Sequence, residues 1–199
     1  MQSGKADIML AVGAESVLCP LVIYSLANAK ALSRRNDSPS TASRPFDVTR
    51  DGFVIGEGGG ALVLETEEHA LARGAKIYAE IRGCGNTDDA YHVTAPHPEG
   101  RGAIACMKQA IAEAGINPSD IGYINAHGTA TNKGDTVETS SIKKVFGNTL
   151  PYVSSTKGAT GHMMGAGGIT ETITCVKAIE TGTVPPTINL NEVDRMCRH

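Results

Sequence analysis

The chain of 199 residues has no tryptophan, few aromatic side chains (4%) and no strong net charge. It contains no apolar run near the ~20 residues that a membrane-spanning helix requires. Its first residues, MQSGKADIML, lack the pattern of a signal peptide. A net charge of −3 gives no support for nucleic acid as a main partner. We therefore expect a protein that works with neither a membrane nor a nucleic acid.

Cysteine is present, but in no pattern that is typical of a structural site. The five cysteines form an odd set without any C-x-x-C spacing. That arrangement favours neither a zinc site nor a disulfide framework. The sequence therefore predicts a protein of a reducing compartment that holds no metal.

Glycine is abundant, with 23 residues, and predicted strands and helices follow one another along the chain. The first strand is predicted to be buried, and segment 34–47 reads as a polar loop. Beyond Lys76 the regular alternation indicates a mainly parallel sheet covered by helices. The predicted strands are 7–15, 60–66, 77–85, 121–125 and 151–156, and the predicted helices are 20–33, 67–74, 101–114, 135–147 and 167–182.

Two glycine-rich stretches invite a comparison with nucleotide-binding loops. GEGGGA (56–61) matches G-x-G-x-x-A, but a strand follows it where a dinucleotide site needs a helix. STKGATGH (155–162) lacks the G-x-x-x-x-G-K-[ST] arrangement of a phosphate loop. We therefore interpret the first as a tight turn into a strand and do not expect nucleotide binding.

Two histidines occupy the same local setting. His127 follows the predicted strand IGYIN, and His162 follows PYVSST. Loops that leave the carboxyl ends of parallel strands are where ligands bind in open α/β sheets. Lys157 precedes His162 by five residues. This pattern favours a catalytic or binding site that contains both imidazoles.

Three carboxylates are candidates for supporting roles. Asp135 and Glu138 lie near the start of a predicted helix, where acidic groups favour the dipole, so capping is the simpler interpretation of Asp135. Glu171 lies on an otherwise apolar helix, and a buried carboxylate requires a partner. Lys157 is the natural candidate for that partner.

The segments INAHGTATNKGDTVE and VSSTKGATGHMMGAGG resemble the β-ketoacyl synthases, the condensing enzymes of fatty acid and polyketide synthesis. SRPFDVTRDGFVIGEGGGALVLE and VPPTINL agree with the same family, and the likeness is greatest to its 3-oxoacyl-[acyl-carrier-protein] synthase II type. The resemblance implies part of a thiolase-like fold, an α/β architecture layered α/β/α/β/α. Residues 1–75 would end its N-terminal half, and residues 76–199 would form most of its C-terminal half.

The resemblance also implies a reaction, a decarboxylative Claisen condensation between an acyl thioester and malonyl-carrier protein. His127 and His162 match the histidines that polarise the malonyl carbonyl, and Lys157 matches a lysine that pairs with the carboxylate matching Glu171. Thr129 and Thr131 match threonines that hydrogen-bond the phosphopantetheine arm. Acyl carrier protein and a second identical subunit are the implied partners, with no cofactor beyond the carried phosphopantetheine. The implied location is the cytoplasm or, alternatively, the mitochondrial matrix.

The family's acylated cysteine belongs to a motif upstream of ADIMLAVGAE, so we expect this chain to be a fragment that does not condense substrates alone. Cys19, before Pro20 at a predicted helix start, is the best nucleophile on bare chemistry, although a small buried residue is the preferred interpretation. Asn132-Lys133 stands where many relatives carry proline. Arg34 and Arg35 could meet an acidic carrier protein or simply be solvated.

Two other functions stay open. A non-catalytic partner that dimerises with an active synthase would also lack the nucleophile, but such partners usually lose the histidines as well. A thiolase-type enzyme that uses coenzyme A would share the fold. A pair of histidines, rather than a histidine and a cysteine, favours the decarboxylative branch.

Overall fold

The computed structural model describes Met1 and residues 3–199, and it shows an α/β chain with two small sheets. Short 3₁₀ helices lie at 39–41, 118–120, 164–166 and 195–197. The strands are β1 (Ile8–Glu15), β2 (Gly58–Glu65), β3 (Tyr123–Asn125) and β4 (Tyr152–Ser154), and the helices are α1 (Pro20–Asn28), α2 (Glu67–Ala72), α3 (Arg101–Ala114), α4 (Asn132–Phe146), α5 (Lys157–Thr160) and α6 (Gly167–Thr181).

The first sheet is the antiparallel pair β1–β2. Its register runs from Ile8 opposite Glu65 to Glu15 opposite Gly58. Both strands were predicted, but the prediction that the first is buried is wrong. Every residue of β1 is exposed or half-buried, and Leu10 retains 64% of its surface. The apolar run 7–15 predicts a strand without revealing how much of it other elements cover.

The second sheet is the parallel pair β3–β4, which α4 connects, as the alternating pattern predicts. The predicted strand 77–85 is wrong, because this segment belongs to no ladder among the described residues. It runs instead along α3, whose Glu113 carboxylate accepts the N–H of Cys84 at 2.8 Å. A Cβ on Gly85 would lie 2.1 Å from the carbonyl oxygen of Cys106, so the contact with α3 is backbone against backbone.

Helix α6 lies between the two sheets, since it contacts β1, β2 and β3. Glycines make the approach to β1–β2 close: a Cβ on Gly13 would lie 2.9 Å from the Ile169 side chain. A Cβ on Gly60, which pairs with Gly13 across the sheet, would lie 3.0 Å from Ile173. The resulting sheet–helix–sheet order fits part of the layered α/β/α/β/α architecture that the sequence predicts.

The interior centres on a segment that the sequence presents as a polar loop. Residues 42–47 are all buried, and Phe46 packs with Ala126 and Cys197. Asp47 makes this possible, because its carboxylate accepts the backbone N–H groups of Thr49, Asn191 and Glu192. Segment 34–47 is a loop, as predicted, but its polar composition does not reveal that its second half is buried.

Two helix boundaries differ from the predictions. Helix α1 ends at Asn28 and not near Ser33, because Lys30 has a positive φ of 55° and Leu32 pairs with Phe53 in an isolated parallel bridge. Helix α4 begins at Asn132, three residues before the predicted start. No helix in the described part of the chain is long and apolar enough to cross a membrane.

Candidate active site

His127 and His162 lie side by side. Their ring centroids are 5.2 Å apart and the rings meet edge to face at 84°. His127 follows β3 by two residues, whereas His162 follows β4 through α5. Because the carboxyl ends of parallel strands meet at one edge of a sheet, the two loops converge there. The pairing of these histidines, inferred from the sequence, is present in the structure.

Helix α4 fixes the backbone around His127. The Glu138 carboxylate accepts the N–H of His127 and the N–H of Gly128, both at 2.7 Å. Burial raises the pKa of Glu138, and these two N–H groups act in the opposite direction. Glu138 lies beyond the first turn of α4, so its role is to hold the loop and not to cap the helix.

The backbone of His162 is held by the segment that precedes β2. Its N–H donates to the carbonyl of Val54 at 2.7 Å, and its carbonyl accepts the N–H of Gly56 at 3.0 Å. The ring Nδ1 lies 3.3 Å from the backbone nitrogen of Met164, which donates to it. A neutral His162 therefore carries its proton on Nε2, which is left free to donate. Phe53 packs edge-on against the ring at 5.1 Å.

Both imidazoles are held in the neutral form. Desolvation by the surrounding protein, the Lys157 ammonium and His162 lower the pKa of His127 to about 3, although part of its surface is open to solvent. Desolvation and Lys157 lower the pKa of His162 to about 4. At neutral pH the pair thus offers uncharged N–H donors beside a fixed positive charge.

Lys157 is buried, with 2% of its surface exposed, and its ammonium pairs with the Glu171 carboxylate of α6. This is the partner that the sequence suggests for Glu171. The Lys157 carbonyl accepts the hydroxyl of Ser43 at 2.6 Å, which ties α5 to the buried loop 42–47. The ion pair satisfies a charge that would otherwise be costly to bury and keeps it next to the imidazoles.

Thr129 and Thr131 lie between His127 and α4. Their hydroxyl oxygens are 3.0 Å apart, Thr129 is buried and Thr131 is half-buried. Ala130 between them has a positive φ of 67°, a conformation that costs energy for a residue other than glycine. The Asp135 carboxylate supports this turn by accepting the N–H of Ala130 at 3.1 Å.

Arg50 is the main residue of this region that the sequence reasoning missed. Its side chain, 1% exposed, bonds the Asp135 carboxylate from Nε and the Asp194 carboxylate from Nη1. Nη2 donates to the carbonyl of Asn132 at 3.0 Å. Burial raises the pKa of Asp135 to about 6, against the effect of its bonds to Phe46 N–H and Arg50. The sequence signal for Arg50 is its place in SRPFDVTRDGF, a charged residue between apolar residues such as Phe46 and Phe53.

The cysteines do not join the histidines. Cys19 is the exposed N-cap residue of α1, so the interpretation of Cys19 as a buried residue is wrong, and Cys197 is fully buried beside Phe46. Among the described residues, no hydrogen bond or ring contact links a cysteine to His127 or His162. Two grooves of the described surface run along β4, and neither is lined by either histidine.

Comparison with known families places both halves of the chain in one group. Residues 1–70 match the profile described as "Beta-ketoacyl synthase, N-terminal domain". Residues 78–191 match "Beta-ketoacyl synthase, C-terminal domain". The predicted boundary at residues 75 and 76 remains a prediction.

The chain is also similar to curated proteins. The 3-oxoacyl-[acyl-carrier-protein] synthase 2 of Synechocystis sp. is 51% identical over 99% of this chain and 48% of its own length. The mitochondrial 3-oxoacyl-[acyl-carrier-protein] synthase of Arabidopsis thaliana is 49% identical over 98% of this chain and 43% of its own length. The chain therefore spans about half the length of the curated relatives that it matches.

Solved structures give the same result. A β-ketoacyl synthase from Burkholderia phymatum superposes with a TM-score of 0.93, at 41% identity over 99% of this chain and 47% of that one. The complex of a type II PKS acyl-carrier protein with its ketosynthase bound to the hexaketide superposes with a TM-score of 0.95, at 42% identity over 98% and 48%. The described fold is thus that of these ketosynthases over about half their length.

Proposed function

The chain belongs to the β-ketoacyl synthase family, and from that membership we propose that it forms the decarboxylation site of a 3-oxoacyl-[acyl-carrier-protein] synthase of fatty acid biosynthesis. The observation that carries the proposal is the pair of neutral imidazoles, 5.2 Å apart, at the carboxyl edge of β3–β4. The relatives named above support the choice of reaction.

In the proposed reaction the thioester carbonyl oxygen of a malonyl group lies between the two imidazole N–H groups. The bond between the methylene carbon and the carboxylate breaks, carbon dioxide leaves, and the electron pair forms an enolate whose negative charge falls on the thioester oxygen. Donors aimed at a charge that develops in the transition state lower its energy more than that of the ground state. The enolate carbon then attacks an acyl thioester, and the thiolate leaves.

Each remaining residue has a place in this scheme. Nε2–H of His162 is one donor, because its Nδ1 already accepts the Met164 N–H. Lys157, held by Glu171, keeps the imidazoles unprotonated and adds a favourable field for the enolate. Thr129 and Thr131 bind the amides of the phosphopantetheine arm, and Asp135 and Glu138 hold the loop that carries them.

The proposal includes the carrier and its surroundings. Acyl carrier protein delivers both thioesters, with no cofactor other than its phosphopantetheine, and a second copy of the protein completes a homodimer. The similar ketosynthase whose structure is solved in complex with its acyl-carrier protein supports the first of these partners. The location proposed is the bacterial cytoplasm or the mitochondrial matrix, which fits relatives from bacteria and from a plant mitochondrion.

A non-catalytic, synthase-like partner is the less favoured function. Such a protein needs the dimer surface and no imidazole pair, whereas this chain retains His127, His162 and Lys157 with their hydrogen-bonded supports. The decarboxylation experiment described next separates an active synthase from a non-catalytic partner.

The test is release of carbon dioxide from malonyl-carrier protein by the purified protein, which requires the imidazoles and not an acylated cysteine. His127→Ala is expected to lower the rate about 10²- to 10³-fold, the usual effect of removing one donor to a developing oxyanion. His69→Ala is the matched control, since this histidine bonds Glu65 on the surface of α2. Equal rates for His127→Ala and the unaltered protein, or no release at all, would contradict the proposal.

A further inference from the structure

We propose that Ser155 is a positioning residue that joins the two histidine loops and sets the distance between the imidazoles. Its catalytic consequence rests on the proposed function, whereas its geometric role rests on contacts alone. Ser155 immediately follows β4, and its side chain is completely buried.

A single oxygen atom contacts both loops. The Ser155 hydroxyl donates to the carbonyl of Gly128 at 2.7 Å, and Gly128 is the residue after His127. The same oxygen accepts the N–H of Lys157 at 3.3 Å, and Lys157 opens α5, which leads to His162. The hydroxyl thus bonds the backbone of both loops, one residue after His127 and five residues before His162.

The loops also meet there at closest approach. A Cβ on Gly128, whose φ is +35°, would lie 2.5 Å from Cβ of Ser155. The Ser155 backbone is fixed in turn, because its N–H donates to the Thr187 hydroxyl at 3.0 Å. Ser155 is therefore an anchored point against which the His127 loop rests.

The hydroxyl completes a set of bonds around His127. The Glu138 carboxylate accepts the backbone N–H groups of His127 and Gly128. The Ser155 hydroxyl donates to the carbonyl of Gly128. Without the hydroxyl, the buried Gly128 carbonyl loses its donor, and the backbone of His127 and Gly128 keeps only its two bonds to Glu138 of α4. A shift of about 1 Å in a catalytic group can cost as much as ~10²-fold in rate.

The chain supplies a matched control one residue away. Ser154 is also buried, at 4% exposure, and its hydroxyl bonds the Tyr123 hydroxyl at 2.9 Å and touches neither histidine loop. Ser155→Ala and Ser154→Ala thus remove the same group from neighbouring buried positions. Only the first is expected to affect His127.

The first measurement uses the purified protein with ¹⁵N-labelled histidine and follows the imidazole resonances by NMR. Ser155→Ala is expected to shift the His127 ring resonances and to raise the pH at which His127 takes up a proton, whereas Ser154→Ala leaves both unchanged. Unchanged His127 resonances in Ser155→Ala, or equal shifts in the two variants, would overturn the proposal. If Ser155→Ala does not fold, Ser155→Cys keeps the volume with a weaker donor and is judged by the same outcomes.

The second measurement is malonyl decarboxylation, with kcat and KM determined separately. Ser155→Ala is expected to lower kcat about 10- to 10²-fold with a smaller change in KM, because the side chains of both arm-binding threonines are retained. Ser155→Cys should restore part of the loss. If the unaltered protein releases no carbon dioxide, the proposed function fails, and the NMR result still decides whether Ser155 positions His127.

Discussion

At the scale of single residues, Arg50 shows how one side chain holds three segments together. Its guanidinium reaches the loop 44–50 through the Asp47 carbonyl, α4 through Asp135 and the tail through Asp194. All of these groups are buried or nearly so, apart from Asp194, which is about one quarter exposed. The planar fork of arginine serves such divergent acceptors, which a lysine ammonium cannot reach from one point.

We therefore expect Arg50→Lys, which keeps the charge but leaves buried acceptors without a donor, to destabilise the protein by about 1–3 kcal/mol. Urea denaturation followed by circular dichroism measures the change. Arg101→Lys is the control, because Arg101 pairs with Glu99 on the surface, where such pairs contribute about 0–1 kcal/mol. Equal midpoints for the two variants would show that the buried network contributes little.

Some residue contacts of the site could be predicted from the sequence and others could not. It predicted that His127 and His162 lie close together, because the ends of strands follow from local periodicity. The pairing of Lys157 with Glu171 was implied by the family resemblance, since spacing alone does not show it. It missed Arg50 and Ser155, whose decisive partners are distant along the chain: Ser155 bonds Gly128, 27 residues away, and Arg50 bonds Asp194, 144 residues away. Hydrogen bonds at such separations depend on how segments stack, and no local pattern encodes that.

At the scale of elements, the segment before β2 acts as a support for His162. Ile55 and His162 form an isolated parallel bridge, which brings backbone against backbone. A Cβ on Gly56 would lie 2.4 Å from the carbonyl oxygen of Thr160, whereas a Cβ on Gly58 would meet the flexible sulfur of Met163 at 2.6 Å. GEGGGA thus gives a close approach to the active-site loop in addition to the turn inferred from the sequence.

These two glycines make a matched pair for a test. Gly56→Ala must displace the Thr160–His162 backbone and is expected to destabilise the protein by about 1–3 kcal/mol, the usual effect of overpacking. Gly58→Ala should cost clearly less, since the Met163 side chain can move. Thermal unfolding of both variants measures the difference, and a larger loss for Gly58→Ala would be the opposite of what the backbone contact requires.

The positions of helices and strands were predicted better than their burial and their pairing in sheets. The periodicity located β1, β2 and α3 to within a few residues, but it gave β1 too much burial and 77–85 a ladder that does not form. The apolar pattern of a strand is the same whether or not another layer covers that face of the sheet. Burial is a property of the assembled layers, so only the contacts reveal it.

At the scale of the whole molecule, the face of β1–β2 opposite α6 is apolar and open. Leu10, Val12 and Val63 share this face, and each retains more than 60% of its surface. Contiguous apolar surface of this kind promotes association in water. We expect the protein to bind the dye ANS, and Leu10→Lys combined with Val12→Lys to reduce dye binding and light scattering. Undiminished dye binding by the double variant would show that the dye binds a surface other than this face of β1–β2.

The charge state of the site affects the stability of the whole chain. His162 has a pKa of about 4 in the folded chain, against an ordinary value of 6.5. Between these two pH values the unfolded chain binds a proton at His162 and the folded chain does not. Its contribution is complete above pH 6.5 and is lost as the pH falls from there toward 4. Asp135 opposes this trend, because its raised pKa of about 6 makes the folded chain take up a proton earlier.

A comparison with His162→Gln separates the two effects, since Asp135 and all other groups are common to both proteins. The free energy of unfolding of the unaltered protein, minus that of the variant, should be constant above pH 6.5 and fall by at most ~1.4 kcal/mol per pH unit below it. Urea unfolding at a series of pH values from neutral to mildly acidic gives this difference directly. Parallel curves for the two proteins would mean that His162 titrates normally and that neither burial nor Lys157 holds it neutral.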